Sequence, residues 1–422
     1  MSSTKPPIVP FSSYQKLVVA ILAFLQFTVI LDFMIMSPLG AVMMPALDMQ
    51  PSQFGVAVSV YAFSAGIAGL LAAGFADKYD RKKILIFFYS GFVLGTFLCG
   101  IANTYHFLLL ARMVTGLFGG VVGSTCLAIT TDLFPLEMRG RVMGLIQTAF
   151  AGSQILGLPI GLFLSNHWGW HAPFLMIVVV SSIVGVIIWT KMKPIDAHLK
   201  LHPDRNPVHH LIATVSNRRY LFAFGTTALL SLGGFMLMPF GSAFTVHNMG
   251  IDLERLPLIY LITGMSAMVM GPIVGRLCDR IGKYKTFVIG SLISITMVLI
   301  YTSRGITPLP YVILINVILF MGIFSRMIPA QALMSAIPDP SSRGAFMSVS
   351  SSLQQISGGI ASVVAGLIVV ANPDGSLLHF NVVGYVMLGT VGTSMFLMYF
   401  IHRSVQENVG KAAPTIAQTA KT

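Results

Sequence analysis

Three residues with formal charge stand deep inside uncharged stretches of this chain: Asp32, Arg112 and Arg326. A charge at the centre of an apolar helix costs at least ~2.5–3.5 kcal/mol, so each needs a partner or an aqueous cavity. Asp32 is the one carboxylate so placed. Desolvated and near a cation, it could have a proton affinity that switches with hydration. Arg326 has no acidic residue within any apolar stretch to pair with except Asp32, so it faces either an anionic group or a water-filled cavity. Gln26, Gln154, Gln354 and Gln355 add neutral polar groups that suit a cavity wall or an ordinary hydrogen bond between helices. Other chemistry is missing by pattern. There is no G-x-x-x-x-G-K-[ST] loop, since Gly282-Lys283 is followed by Tyr284, and no H-E-x-x-H. Cys99, Cys126 and Cys278 have neither metal-ligand nor disulfide spacing. His198, His202, His209 and His210 are scattered over a Pro-punctuated basic stretch and read as part of a solvated linker. No catalytic residue, metal site or cofactor is expected.

Such residues need elements that hold them in an apolar medium, and the composition supplies these. Of 422 residues, 55% are hydrophobic and 9% charged, with a mean hydropathy of +0.82. Soluble domains carry roughly 25% charged residues, so an ordinary globular enzyme is excluded, and so is a disordered chain. Runs of about 20 apolar residues cross a bilayer as helices. Twelve are expected: Leu17–Met43, Phe54–Ala76, Ile84–Ala102, Phe107–Thr131, Val142–Ser165 and Pro173–Thr190, then Tyr220–Val246, Leu256–Gly275, Thr286–Ser303, Ile306–Pro338, Ala345–Ala371 and Phe380–Ile401. The first run is too long for a cleaved signal peptide and is expected to stay as an anchor. The net charge of +12 does not point to nucleic acid, because the charges lie in short loops. With both termini cytoplasmic, 22 of the 26 Lys and Arg fall on that side and only Arg255 and Arg304 on the other. That bias sets the expected orientation. Asp32 lies 16 residues from Lys16, or about 24 Å, and Arg112 lies six residues from His106 at the opposite end, or about 9 Å. In a ~30 Å layer the two depths nearly coincide. A proton-responsive pair and a permanent brace between the first and fourth helices both fit.

The chain also repeats itself. Gly74-Phe75-Ala76-Asp77-Lys78-Tyr79-Asp80-Arg81 after the second helix matches Gly275-Arg276-Leu277-Cys278-Asp279-Arg280 after the eighth, and Asp77 and Asp279 are 202 residues apart. Arg139-Gly140 and Arg343-Gly344 follow the fourth and tenth helices, 204 residues apart. Six helices are therefore repeated in the same orientation, an arrangement of transporters that bind substrate between the halves near the midplane. Expected units are residues 1–192, a linker at 193–218, residues 219–403 and a tail at 404–422.

These loops resemble motif A of the major facilitator superfamily, the second copy more closely. Ala73 and Asp80 replace two glycines in the first. Leu110-Ala111-Arg112-Met113-Val114-Thr115-Gly116 resembles motif B. Gly152 with Gly157-Leu158-Pro159-Ile160-Gly161 resembles antiporter motif C, without its adjacent Gly-Pro and double Gly. Leu31-Asp32-Phe33 and Trp168-Gly169-Trp170 are similar to segments of drug-efflux members. The resemblance, over about residues 15–405, implies an all-α membrane protein of two six-helix bundles. It further implies a proton-coupled exporter of an amphipathic small molecule in the bacterial inner membrane, monomeric, with the bilayer, the substrate and protons as its partners and no nucleic acid. A uniporter or importer of a sugar or metabolite is the alternative transporter reading. A membrane sensor is disfavoured, since no extracellular domain or long signalling tail accompanies Asp32. In that family the motif A aspartate stabilises one conformation. Asp77 and Asp279, with Arg81, Arg139, Arg280 and Arg343, are therefore expected to form a conformational gate. Gly116 and Gly120, with Gly157, Pro159 and Gly161, are expected to pack helices closely.

Overall fold

The computed structural model describes residues 11–75, 79–196, 199, 214–338 and 343–419. Twelve helices in it are long and apolar enough to cross a membrane. They are α1 (Ser13–Ile35), α2 (Pro51–Ala72), α3 (Arg81–Gly100), α4 (Tyr105–Leu133), α5 (Arg141–Trp168) and α6 (Ala172–Lys191), then α7 (Tyr220–His247), α8 (Leu253–Ile281), α9 (Lys283–Thr302), α10 (Leu309–Met334), α11 (Ala345–Ile368) and α12 (Phe380–Gln406). Their ends follow local chemistry. Ser12 and Gln15 form a capping box that starts α1. Asp80 caps α3 by accepting from Lys82 N–H, and Thr104 caps α4. Gly282, at φ +94°, lets α8 turn straight into α9, a conformation that a side chain would strain.

Several boundaries differ from those read in the sequence, and proline or a turn accounts for most. α1 ends at Ile35 rather than Met43; after Pro38 a separate short helix, Gly40–Ala46, takes up the chain. A proline cannot donate the helical hydrogen bond and biases its predecessor away from helix. α7 breaks in the same way after Phe235, with a short turn at Met238–Phe240 around Pro239. α5 carries a π-helical turn at Ser153–Gly157, just before Pro159. α10 stops at Met334, short of Pro338, and α11 stops at Ile368. Val370–Ala371 and Leu377–Leu378 then form a small antiparallel hairpin, β1 and β2. The last helix runs on from α12 to Thr419.

Helix pairings in the first half recur in the second. α1 packs on α5 and α6, α2 on α4, and α3 on α4 and α6; correspondingly, α7 packs on α11 and α12, α8 on α10, and α9 on α10 and α12. Between the halves, α2 lies along α11 and α5 meets α8, again an equivalent pair. Glycines bring the α2 and α11 backbones close along their seam. A Cβ on Gly55 would come within 2.5 Å of Ser362 O, and one on Gly66 within 3.0 Å of Ser352 O. At the end opposite the termini the two broken helices clasp each other. The Ser37 hydroxyl donates to Met238 O, and Ser242 Oγ donates to Ser37 O at 2.8 Å. Nearby, Asn166 Nδ2 donates to Leu253 O at 3.0 Å. Towards the end bearing the termini, a Cβ on Gly144 of α5, or on Gly271 or Gly275 of α8, would meet none of the described residues within 4 Å.

Candidate functional site

Four helices of the first half converge on Asp32. Arg112 of α4 donates from Nη1 to Asp32 Oδ2 at 2.8 Å, and neither side chain has any exposure. Thr96 of α3 donates to Asp32 Oδ1 at 3.1 Å. The Arg112 guanidinium lies over the Tyr61 ring of α2, 4.5 Å from its centroid, an arrangement in which the ring face attracts a cation. Thr115, on the Arg112 helix, donates back to Ala111 O and sits 3.7 Å from Cys99 Sγ. Arg112 Nε and Nη2 are buried without an acceptor. The pair is therefore neutral overall but incompletely solvated by protein groups.

The glycines set how close these helices come. A Cβ on Gly116 would lie 2.4 Å from Tyr61 O, and one on Gly120 would lie 2.4 Å from Ala65 O. That contact presses α4 onto α2 and places Tyr61 against Arg112. Gly157 and Gly161 receive Leu31 and Ile35 of α1 at 2.6 and 2.7 Å from where a Cβ would stand, with Pro159 between them. Phe33, the residue after Asp32, packs on Tyr61 and also on Phe235 of α7, at 5.3 and 5.8 Å between centroids. The ion pair thus has an aromatic link to the other half.

The remaining polar candidates are not gathered at this pair. Arg326, 4% exposed, forms no ion pair or hydrogen bond among the described residues, and its Nε is buried without an acceptor. Gln154 is buried at the α5–α8 seam, where Gly264 approaches its backbone. Gln26, Gln354 and Gln355 are half-buried. Gln26 reaches the α4 surface at Gly123, with Nε2 3.6 Å from where a Cβ would stand.

The sequence pattern that defines the Major Facilitator Superfamily matches residues 22–362, with a further match over 224–419. The chain belongs to this superfamily. An uncharacterized transporter of the superfamily from Bacillus subtilis, YceJ, is 24% identical over 347 residues, covering 81% of this chain and 87% of YceJ. The multidrug resistance protein MdtG of Salmonella typhimurium is 25% identical over 255 residues, covering 58% of this chain and 61% of MdtG. Among solved structures, a point mutant of the nucleoside transporter NupG superposes with a TM-score of 0.74 at 15% identity. The match covers 92% of this chain and 99% of NupG. The major facilitator fold, with its two parallel six-helix bundles in a membrane, is thereby established.

The superfamily's loop motif is only partly in view. Asp77, with Lys78, lies outside the described residues, as does the Arg343 side chain. Asp279 and Arg280 are exposed on the last turn of α8 and form no ion pair among the described residues. The first-half loop is better connected. Arg81 Nε meets Asp132 Oδ2 at 2.9 Å, joining the start of α3 to the end of α4. Arg139 donates to Phe134 O and Thr131 O, closing the carbonyl end of α4. Asp80 also accepts from Ile195 N–H, and Lys82 donates to Trp189 O and Met192 O, so this loop ties down the end of α6. Sequence reasoning missed three partners. Asp132 was discoverable as a carboxylate ending an apolar run opposite Arg81. Tyr61 and Thr96 carried no such signal, because ring and hydroxyl residues are common inside spans.

Proposed function

We propose that this superfamily member is a proton-coupled exporter of an amphipathic small molecule, working by alternating access. The observation that carries the reading is the Asp32–Arg112 pair at 2.8 Å, fully enclosed where α1 to α4 converge. Protonating Asp32 would remove the charge that holds Arg112, and Phe33 would transmit the resulting movement of α1 to α7. Gln26, Gln154, Arg326, Gln354 and Gln355 would line the substrate cavity, since none of the four glutamine side chains has a hydrogen-bond partner among the described residues. Similarity to MdtG supports drug-like cargo. The contacts that close the end opposite the termini support a form open to the cytoplasm, the side from which an exporter loads. The motif A loop, with Asp77, Arg81, Arg139, Asp279, Arg280 and Arg343, would set the balance between conformations. The units are residues 1–192 and 219–403, joined by 193–218, and the chain works as a monomer in the bacterial inner membrane.

The test uses proteoliposomes with an imposed pH gradient and a panel of dyes, sugars and siderophore-like compounds. Asp32→Asn is expected to abolish uphill transport while permitting downhill exchange. Wild-type coupling in well-folded Asp32→Asn protein would falsify the assignment. The absence of any exposure at Asp32 and Arg112 favours a second reading, a permanent brace between α1 and α4. A brace predicts that Asp32→Asn lowers the thermal midpoint and leaves the coupling of the surviving folded protein intact. An uncompensated buried Arg112 would cost roughly 3–5 kcal/mol.

A further inference from the structure

Deep within the membrane spans, away from their ends, the charges do not balance. Asp32 and Arg112 neutralise each other, which leaves Arg326 of α10 as a cation with no counter-charge among the described residues. It is 4% exposed, its Nε is enclosed with no acceptor, and its terminal nitrogens make no hydrogen bond there either. A lysine in such a place can shed its proton, but a guanidinium does not. Gly322, one helical turn before Arg326, packs against Ser294 of α9, whose Oγ stands 2.7 Å from where a Cβ would lie. Ser294 Oγ is itself buried without a partner. Ser294 on α9 and Arg326 on α10 are therefore two buried donors without an acceptor among the described residues, one of them charged, on helices that pack at backbone distance where Gly290 meets Ser325. A buried cation without a partner is expensive, and natural membrane proteins keep such charges where they serve a pathway.

We infer that the transported molecule carries an anionic group, a carboxylate, phosphate or sulfonate, and that Arg326 is its counter-ion in the loaded protein. This rests on the reading of the chain as a small-molecule exporter and specifies the cargo of that site. A guanidinium fork accepts such a group through two parallel hydrogen bonds. Loading then replaces an unpaired buried charge with a paired one, so the anion is bound where the empty protein is least satisfied. The proton site and the anion site sit on different halves, Asp32 on α1 and Arg326 on α10, so each can be disabled without touching the other.

The experiment uses the full chain in detergent and in proteoliposomes, with one ring system bearing different head groups. The probes are 2-naphthoate, naphthalene-2-sulfonate and naphthyl phosphate against neutral naphthalenemethanol and cationic naphthylmethylammonium. The anions are expected to raise the thermal midpoint of the wild type and the other two are not. Arg326→Gln should weaken anion binding by about ten- to a hundredfold, the range of a lost charge-assisted contact, and Arg326→Lys should restore part of it. Without ligand, Arg326→Gln is expected to match or exceed the wild-type midpoint, because it deletes an unpaired charge. A lower midpoint in the ligand-free variant would show a structural partner and overturn the proposal. A wild type with no preference for the anions, including one that binds no member of the series, overturns it as well. The exporter reading fails separately. Gradient-driven flux of the cationic probe would keep that reading and reject anion recognition. Anion binding lost in Arg326→Gln, with no gradient-driven flux in the wild type, would do the reverse.

Discussion

At the residue scale the first half is built around one carboxylate with every contact assigned. Asp32 uses Oδ2 for Arg112 and Oδ1 for Thr96, and its side chain has no exposure in this form. Thr96→Val keeps the shape and removes only the hydroxyl donor. The expected cost is about 1–3 kcal/mol, that of an unsatisfied buried acceptor, read as a lower thermal midpoint. In an Asp32→Asn background the same substitution should cost distinctly less, because the charged acceptor is gone. Equal costs in both backgrounds would show that Thr96 acts by packing alone. The pair itself was legible in the sequence: charge is rare enough in apolar spans that two helical depths sufficed to match Asp32 with Arg112. Its surroundings were not. Tyr61 reaches Arg112 because Gly116 lets α4 lie against the α2 backbone; the glycines announced a close-packed face of α4, but not that Tyr61 would stand against it.

At the element scale, the breaks in α1 and α7 matter more than the helices they interrupt. Pro38 and Pro239 occupy equivalent places in the two halves, and the carbonyls just before them accept across the halves, Met238 O from the Ser37 hydroxyl and Ser37 O from the Ser242 hydroxyl. The sequence showed one long apolar run through Pro38, because a proline near a span end leaves hydropathy unchanged. Only the partner's proline gives it meaning. Removing both hydroxyls in Ser37→Ala with Ser242→Ala should cost about 1–3 kcal/mol of the closed arrangement at this end. A coupling of that size shifts a two-state population by roughly 5- to 150-fold. Spin labels at Asn103 and Arg304, in the loops after α3 and α9, would report it as a gain in longer distances. An unchanged distribution would mean that the Phe54–Phe240 contact and the α2–α11 seam close this end without the serines.

At the scale of the whole molecule, the repeat is what made the fold readable. Two loop matches at nearly one offset anticipated a repeat of six helices, and the helix pairings recur accordingly, α2 on α4 with α8 on α10; which helices meet between the halves, α2 with α11 and α5 with α8, does not follow from them. An even number of spans puts both ends of the chain on one side, whichever side that is. The choice of side rests on charge: translocating a loop rich in Lys and Arg is disfavoured. The opposite assignment would send 22 basic residues across the membrane and retain two. Basic residues also make specific contacts at the end bearing the termini, Arg81 with Asp132 and Lys82 with the end of α6, but those contacts would form equally well on either side and cannot explain the bias. Orientation should therefore respond to charge rather than to packing. A fluorescent reporter fused after Thr419 is expected to light up in the cytoplasm, and alkaline phosphatase inserted in the Asp252–Arg255 loop is expected to be active outside. A phosphatase that stays inactive in that loop, together with a dark C-terminal fusion, would invert the molecule and with it the side that the Ser37 and Ser242 contacts close.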